Sequence, residues 1–231
     1  MRNIYENGTY LDNNPTWHEE DSPWKARQII HIIKKNDMKP STICEIGCGS
    51  GEILSQLSRQ LSGDINYYGY EISKDAFAIC QKKSKSNLRF YFEDLLKRHD
   101  AKYDIVMAID VIEHIEDYYG FIRKLKHIGE YKIFHIPLDM SAQTVLRVSP
   151  LIRARTSVGH IHYFTKETAL ASLEDTEYEI LDYFYTRGSL ELPNRGWKAN
   201  MLKIPRKLFF AISQDLAARI LGGFSLLVLA K

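Results

Sequence analysis

Three glycines stand at alternate positions, Gly47, Gly49 and Gly51, in the stretch ICEIGCGSGEIL. An apolar run precedes them and good helix formers follow. Glycine lets a chain turn sharply out of a strand, and it lets backbone N–H groups approach a ligand with no Cβ in the way. A turn of this kind between a strand and a helix points to a nucleotide-type cofactor held by backbone. Two acids extend the pattern. Glu71 ends YYGYEI, 20 residues past Gly51, where a carboxylate can accept hydrogen bonds from ribose hydroxyls. Asp94, in YFEDLL, can accept from an exocyclic amine such as that of adenine.

Two details select among cofactors. The spacing is G-x-G-x-G, whereas dinucleotide sites use G-x-G-x-x-G. Glu45 lies two residues before the first glycine, and an acid there suits an ammonium or sulfonium group and repels a pyrophosphate. Both favour S-adenosylmethionine. They count against a nicotinamide-dependent oxidoreductase on a similar sheet. A non-catalytic module that binds S-adenosylmethionine remains open as the other reading.

The elements that must position these residues alternate along the chain. DSPWKARQIIHIIKKN reads as a helix, with Asp21 or Ser22 as cap, Pro23 in the first turn and an apolar face at Ile29, Ile30, Ile32 and Ile33. STICEIG is a strand and SGEILSQLSRQL a helix with Ile53, Leu54, Leu57 and Leu61 on one face. INYYGYEI, LRFYF, YDIVMAID and YKIFHIPL are further strands, with helices in KDAFAICQKKSKS and DYYGFIRKLKHI. This order, with continuous apolar strands, predicts a parallel sheet covered on both faces. After Pro137 the pattern loosens into a connection of about twenty-five residues, a length typical of a functional lid. TKETALASLE then reads as a helix capped by Thr165, and YEILDYFYTRG as a sixth strand. One helix is expected in PRKLFFAISQDLAARIL and a last strand in GFSLLVLAK.

Taken together, ICEIGCGSG, YYGYEIS, YFEDLL and YDIVMAIDVIEHIED resemble the class I S-adenosylmethionine-dependent methyltransferases. The branch is that of the ubiquinone-type O-methyltransferases, and GHIHYFTKETALASLE and GFSLLVLAK fit it too. The resemblance covers residues 41 to 231. It implies an α/β, Rossmann-like sheet of seven strands in order 3-2-1-4-5-7-6, the last antiparallel, in a single domain. Residues 1 to 35 would be an N-terminal lid and helix, and residues 138 to 164 and 190 to 222 insertions on the substrate side. It implies Glu45 and Gly47 by the methionine part, Glu71 on the ribose, Asp94 on the adenine and Asp110 beside the methyl donor. Gly49, Gly51, Ile72 and Leu95 join them as cofactor-binding residues. The implied reaction is methyl transfer to a small-molecule acceptor, at a hydroxyl oxygen, with S-adenosylhomocysteine as product.

A hydroxyl acceptor needs a base. His114, in DVIEHIED, and His160 and His162, in GHIHYF, are the candidates, because imidazole can take a proton near neutral pH. Some relatives bind a divalent metal through DVIEHIED, but His160 and His162 have no third ligand signalled in sequence and no metal is expected. Trp17, His18 and Trp24 stand where aromatic faces can enclose a sulfonium or anchor the first helix. Arg195, Lys198, Lys203, Arg206 and Lys207 form a basic run with no acid before an apolar helix. That run can be a solvated face over the pocket or can meet an anionic surface.

Bulk properties agree. A chain of 231 residues with 45% hydrophobic and 26% charged residues suits one globular α/β domain. A net charge of +2 gives no support to nucleic-acid binding through bulk electrostatics. Cys44, Cys48 and Cys80 lack the spacing of a disulfide framework or a zinc site and read as packing residues. The polar N-terminus is no signal peptide, and the eleven apolar residues from Ile220 to Ala230 are too few to span a bilayer. The expected setting is cytoplasmic, with no integral membrane contact and no oligomeric state assigned.

Overall fold

The computed structural model describes residue 10 and residues 14–17, 19–98, 100–192 and 203–231. His18, Arg195 and Lys198, considered above, lie outside the described residues. The strands are β1 (Thr42–Ile46), β2 (Asn66–Glu71), β3 (Leu88–Phe92), β4 (Tyr103–Ile109), β5 (Gly129–Pro137), β6 (Ile180–Thr186) and β7 (Ser225–Ala230). They form one seven-stranded sheet in order β3-β2-β1-β4-β5-β7-β6, as expected. β7 runs antiparallel to both β5 and β6, and the other pairs are parallel.

Alternation of side chains along the strands divides the core in two. On one face Ile43, Ile105, Met107, Ile133 and Leu227 pack against α1 (Ser22–Lys35), α2 (Glu52–Gln60) and α3 (Lys74–Cys80). On the other, Cys44, Val106, Phe134, Ile136 and Val228 pack against α4 (Tyr118–Leu125) and α7 (Lys166–Glu174). This is why the strands read as unbroken apolar runs: both faces are covered. The three cysteines are free and buried. α1 keeps Ile29, Ile32 and Ile33 inward and starts with proline in its first turn, where a missing N–H costs nothing. Thr165 caps α7 and forms a reciprocal capping box with Thr168.

Two expectations need correction. The connection after Pro137 is structured. It carries α5 (Ala142–Arg147), α6 (Ser149–Arg153) and a π-helical turn over Ala154–Val158. These helices are too short to show a period in sequence. α8 (Gly188–Glu191) follows β6. The single helix read in PRKLFFAISQDLAARIL is two, α9 (Lys203–Ile212) and α10 (Gln214–Leu221). Ser213 breaks them, because it adopts an extended backbone and its side chain accepts from Leu216 N as the cap of α10. No described helix is long and apolar enough to cross a membrane.

Leu54 is fully buried between α2 and the sheet. Leu54→Ala should lower unfolding stability by about 2–5 kcal/mol, the usual range for a leucine-to-alanine cavity. Urea denaturation at constant slope measures this, and a loss below about 1 kcal/mol would contradict the packing described.

Candidate active site

The C-terminal ends of β1, β2, β4 and β5 open on one cavity of about 1000 Å³. Open α/β sheets bind ligands at that edge. Its walls include Glu45, Gly47, Gly49, Glu71, Ile72, Asp110, His114 and His160, eight of the residues singled out in sequence. From the sheet's covering layers come Trp17, Trp24 and Lys25, and from the segment after β5 come Arg155 and Thr156.

The glycine turn has a clear local cause. Gly47, Gly49 and Gly51 all have φ between +53° and +71°, where a Cβ is strained. Gly47 N and Cys48 N donate to Tyr70 O, at 2.8 and 3.2 Å, which ties the turn to β2. At Gly51 a Cβ would also lie within 2.8 Å of Phe90 and Cys80. At Gly49 the nearest neighbour would be Trp17 at 3.9 Å. Gly51 is therefore a packing glycine, and Gly49 leaves backbone open to the cavity. Gly49 N donates to Glu71 Oε2 at 2.8 Å, while Ile72 N and Ser73 N donate to Glu71 Oε1 at 2.8 and 2.7 Å. A carboxylate offers about four acceptor sites, so Glu71 as placed keeps about one for a ligand hydroxyl. Burial raises the Glu71 carboxyl, and the three N–H bonds oppose that rise.

Asp110 ends β4 with φ +53°. Its Oδ2 lies 2.6 Å from Lys25 Nζ of α1, and its Oδ1 lies 2.5 Å from His135 Nδ1 of β5. His135 Nε2 is 2.8 Å from Thr186 Oγ1. Burial alone would raise the Asp110 carboxyl, but the charges and hydrogen bonds of His135 and Lys25 outweigh it and hold it far below the usual carboxylate range. Burial would lower Lys25, and Asp110 reverses that and raises it.

Two other acids have no such support. Glu45 is buried beneath the glycine turn, and its Oε2 has no hydrogen-bond partner. Burial pushes its carboxyl well up, against the opposing charge of Lys25. Glu113 is fully buried and neither of its carboxylate oxygens has a hydrogen-bond partner. Burial, and then the charge of Asp110, push it well up.

The histidines separate clearly. His160 Nδ1 lies 2.5 Å from Asp139 Oδ2, so Nδ1–H donates to that carboxylate, and Nε2 lies 3.9 Å from Glu113 Oε1. His114 Nδ1 donates to Gly159 O at 3.1 Å. Burial, and then the charge of His160, push His114 down to about 4. The two rings are 4.9 Å apart. His162 lies outside the cavity wall. Its Nε2 donates to Ile115 O at 2.9 Å, and Ile161 N and His162 N donate to Glu113 O. It therefore holds the segment after β5 in place. Glu113, His114 and His160 bring ligand atoms within 4.8 Å of one another, a donor set chemically able to hold a divalent cation.

Asp94 and Leu95 also fall outside the wall. Asp94 caps a 3₁₀ turn by accepting from Leu96 N at 3.0 Å, and Leu95 is fully buried core. The N-terminal aromatics divide. Trp17 lies against Tyr10 with ring centroids 4.6 Å apart, while Trp24 Nε1 donates to Glu191 Oε2 at 2.7 Å.

With this geometry in hand, known proteins can be compared. The model of the family described as "Methyltransferase domain" matches residues 17–183, well over half of the chain. The chain belongs to that methyltransferase family. The ubiquinone biosynthesis O-methyltransferase of Hydrogenovibrio crunogenus is 26% identical over 114 residues, which are 44% of this chain and 46% of that protein. The pavine N-methyltransferase of Thalictrum flavum subsp. glaucum is 26% identical over 139 residues, 56% of this chain and 39% of that one. The matched stretch thus spans about half the length of these curated relatives or less. A methyltransferase of Thiobacillus denitrificans, solved with S-adenosyl-L-homocysteine, superposes with a TM-score of 0.65 at 14% identity, covering 96% of this chain and 97% of that one. At that identity the likeness shows the fold.

Within this methyltransferase domain, four wall or support residues escaped the sequence reading: Lys25, His135, Asp139 and Thr186. Two of them left a signal. Lys25 stands four residues before Ile29 on the inward stripe of α1, so a cation sits where an apolar residue is expected. His135 interrupts the apolar run KIFHIP. A charge or imidazole on a buried stripe needs a partner.

The Lys25–Asp110 pair makes a pH-dependent prediction. Asp110 is depressed in the folded state, so its contribution is complete above the unfolded value of about 3.9 and fades as pH falls below it. Lys25 is raised, so its contribution is complete below about 10.4 and fades above. Lys25→Met should therefore cost about 2–3 kcal/mol across pH 5–9, less than for a wholly buried pair because both side chains keep some exposure. That cost should shrink at acid pH, below the unfolded value of about 3.9, as the Asp110 of the variant, having lost Lys25, takes up a proton before that of the parent does. Denaturation midpoints compared across pH check this, and a cost that grows toward pH 3 would contradict it.

Proposed function

We propose that this chain is an S-adenosylmethionine-dependent methyltransferase that acts on a small-molecule acceptor at a hydroxyl oxygen. The observation that carries the reading is the single cavity at the ends of β1, β2, β4 and β5, where the glycine turn, Glu45, Glu71 and Asp110 meet.

The residues present fit the donor. Glu45 offers a buried carboxylate oxygen without a partner, which suits an ammonium or sulfonium neighbour. Gly49 leaves its backbone uncovered at the cavity wall, where an added Cβ would only touch Trp17 at 3.9 Å. Glu71 has its remaining acceptor site for a ribose hydroxyl. Ile72 is 66% exposed at the cavity wall, an apolar edge for a purine. Gly47 and Asp110 complete the donor half in this reading. Asp94 and Leu95, which lie outside the cavity wall, take no part in this reading. When bound, S-adenosylmethionine supplies an electrophilic methyl group on a sulfonium.

The chain's own part is to orient the acceptor, exclude water and take a proton. His160 is the base in this reading. Asp139 accepts its Nδ1–H and so fixes the tautomer that presents Nε2, the pairing of base and orienting acid that proton abstraction needs. His114, pushed down to about 4, stays neutral near pH 7 and holds a proton weakly. Holding both reactants in one desolvated cavity lowers the entropic part of the barrier.

Labelled methyl donor incubated with the protein and a cell extract, followed by mass spectrometry, identifies the acceptor. With that acceptor, His160→Ala should reduce kcat by about 10²–10⁴-fold and leave the calorimetric donor affinity unchanged. Glu71→Ala should instead weaken donor binding by about tenfold or more, the worth of a hydrogen bond to a charged group. An amine acceptor needs no such base, so unchanged turnover in His160→Ala would sink the hydroxyl assignment. Undiminished donor affinity in Glu71→Ala would place the donor elsewhere.

A further inference from the structure

On the surface beside the cavity, α5, α6, α9 and α10 expose apolar side chains in a basic setting. On α9, Ile204, Leu208 and Ile212 recur every four residues and are 68%, 64% and 81% exposed. On α10, Leu216 and Ile220 repeat the spacing and are exposed too. Before them in the chain, Leu146, Val148 and Ile152 are exposed, Leu146 at 85%. The helices adjoin: α9 packs on α10, α10 on α5 and α5 on α6. Arg206 of α9 donates to Leu221 O of α10 at 3.3 Å. The buried sides of α9 and α10 are occupied by Phe210, Ala217 and Ala218, so the exposed stripes are not needed to fold those two helices. Neighbouring exposed aliphatics on this scale mark an interaction surface.

Charge selects the occupant. Residues 140–158 and 203–214 hold six cations (Arg147, Arg153, Arg155, Lys203, Arg206 and Lys207) and no acid, in a chain whose net charge is only +2. Among the described residues none of the six is in an ion pair. The acid of α10, Asp215, is held by Lys166 and Tyr185, and Arg219 by Glu167. A second copy docked on this face would set the cations against themselves. A bilayer surface with anionic headgroups satisfies both features: aliphatic stripes enter the acyl boundary while lysine and arginine meet phosphates.

We propose that the outer face of α5, α6, α9 and α10 docks on membranes bearing anionic phospholipid. The proposal does not depend on which acceptor is methylated. The docking face continues into the π-helical turn, whose Arg155 and Thr156 belong to the cavity wall, so docking brings that wall to the lipid headgroups.

The test is co-sedimentation of the full chain with vesicles of phosphatidylcholine alone or mixed equally with phosphatidylglycerol. The chain should partition onto the mixed vesicles and not onto phosphatidylcholine alone, and high salt should weaken the binding. Arg153→Glu with Lys207→Glu should lower partitioning by about tenfold or more. Leu208→Gln with Ile212→Gln should lower it by about tenfold as well, through lost apolar insertion. All four sites are exposed, so circular dichroism and thermal midpoints should match the parent and show that folding is intact. Equal binding to both vesicle types, or undiminished binding of both variants, overturns the proposal. So does a concentration-dependent dimer in sedimentation velocity that the same substitutions dissolve, with no vesicle binding.

Discussion

The Asp110 carboxylate is the point on which this architecture turns. It ends β4 in a left-handed conformation and is largely withdrawn from water. A carboxylate in that position is costly unless both oxygens are answered. The answers come from three other elements: Lys25 from α1, His135 from β5, and Thr186 from β6 behind His135. Helix α1 is thus fixed over a strand end 85 residues away from Lys25, and it carries Trp24 and Lys25 to the cavity with it. Apolar packing of Ile29, Ile32 and Ile33 puts α1 on the sheet, and the ion pair sets where along the sheet it stops.

That pairing also decides the state of the other acids. Lys25 is committed to Asp110, so one buried oxygen of Glu45 and both of Glu113 are left without a hydrogen-bond partner, and burial raises both carboxyls. Three acids within one site are therefore held in opposed states: Asp110 ionised, Glu45 and Glu113 biased toward the neutral form. A cation brought near Glu45 or Glu113 shifts that balance back toward carboxylate. For Glu45 the proposed ligand is a sulfonium and ammonium. For Glu113 the neighbours are His114 and His160, so its protonation is tied to the acceptor half. The two halves of the cavity are coupled through Asp110, which raises Glu113 by repulsion.

The glycine turn and its neighbouring acids were legible because their constraints are local. Alternate glycines need positive φ, an acid two residues earlier sits on the same strand, and Glu71 ends the next strand. Each follows from residue type and a short offset. The sheet order was legible from the resemblance, and the helix over residues 22–35 from its apolar period. What was not legible depends on distance in sequence. Nothing near Asp139 announces that it meets His160, and nothing near His135 announces Asp110 or Thr186. The reading of PRKLFFAISQDLAARIL as one helix failed for a different reason: apolar periodicity runs through Ser213, and only the extended backbone there reveals the cap.

The acceptor side resists reading from sequence because its helices are not self-sufficient. α5 and α6 have six and five residues, far below the length at which a helix holds itself together. Their order comes from ties at both ends of the segment. Leu138 N donates to Phe224 O and Met140 N to Phe164 O, and Ile161 N and His162 N donate to Glu113 O. Those backbone bonds are nearly indifferent to side-chain identity. The side chains between them are left to solvent, to the cavity wall or to a partner surface, so composition there can vary without disturbing the sheet or the glycine turn. A pocket wall built in this way draws its scaffold from backbone bonds and leaves few positions free for chemistry. His160 is one of them, because its neighbours Ile161 and His162 are anchored to the turn after β4 while its own ring is held by Asp139.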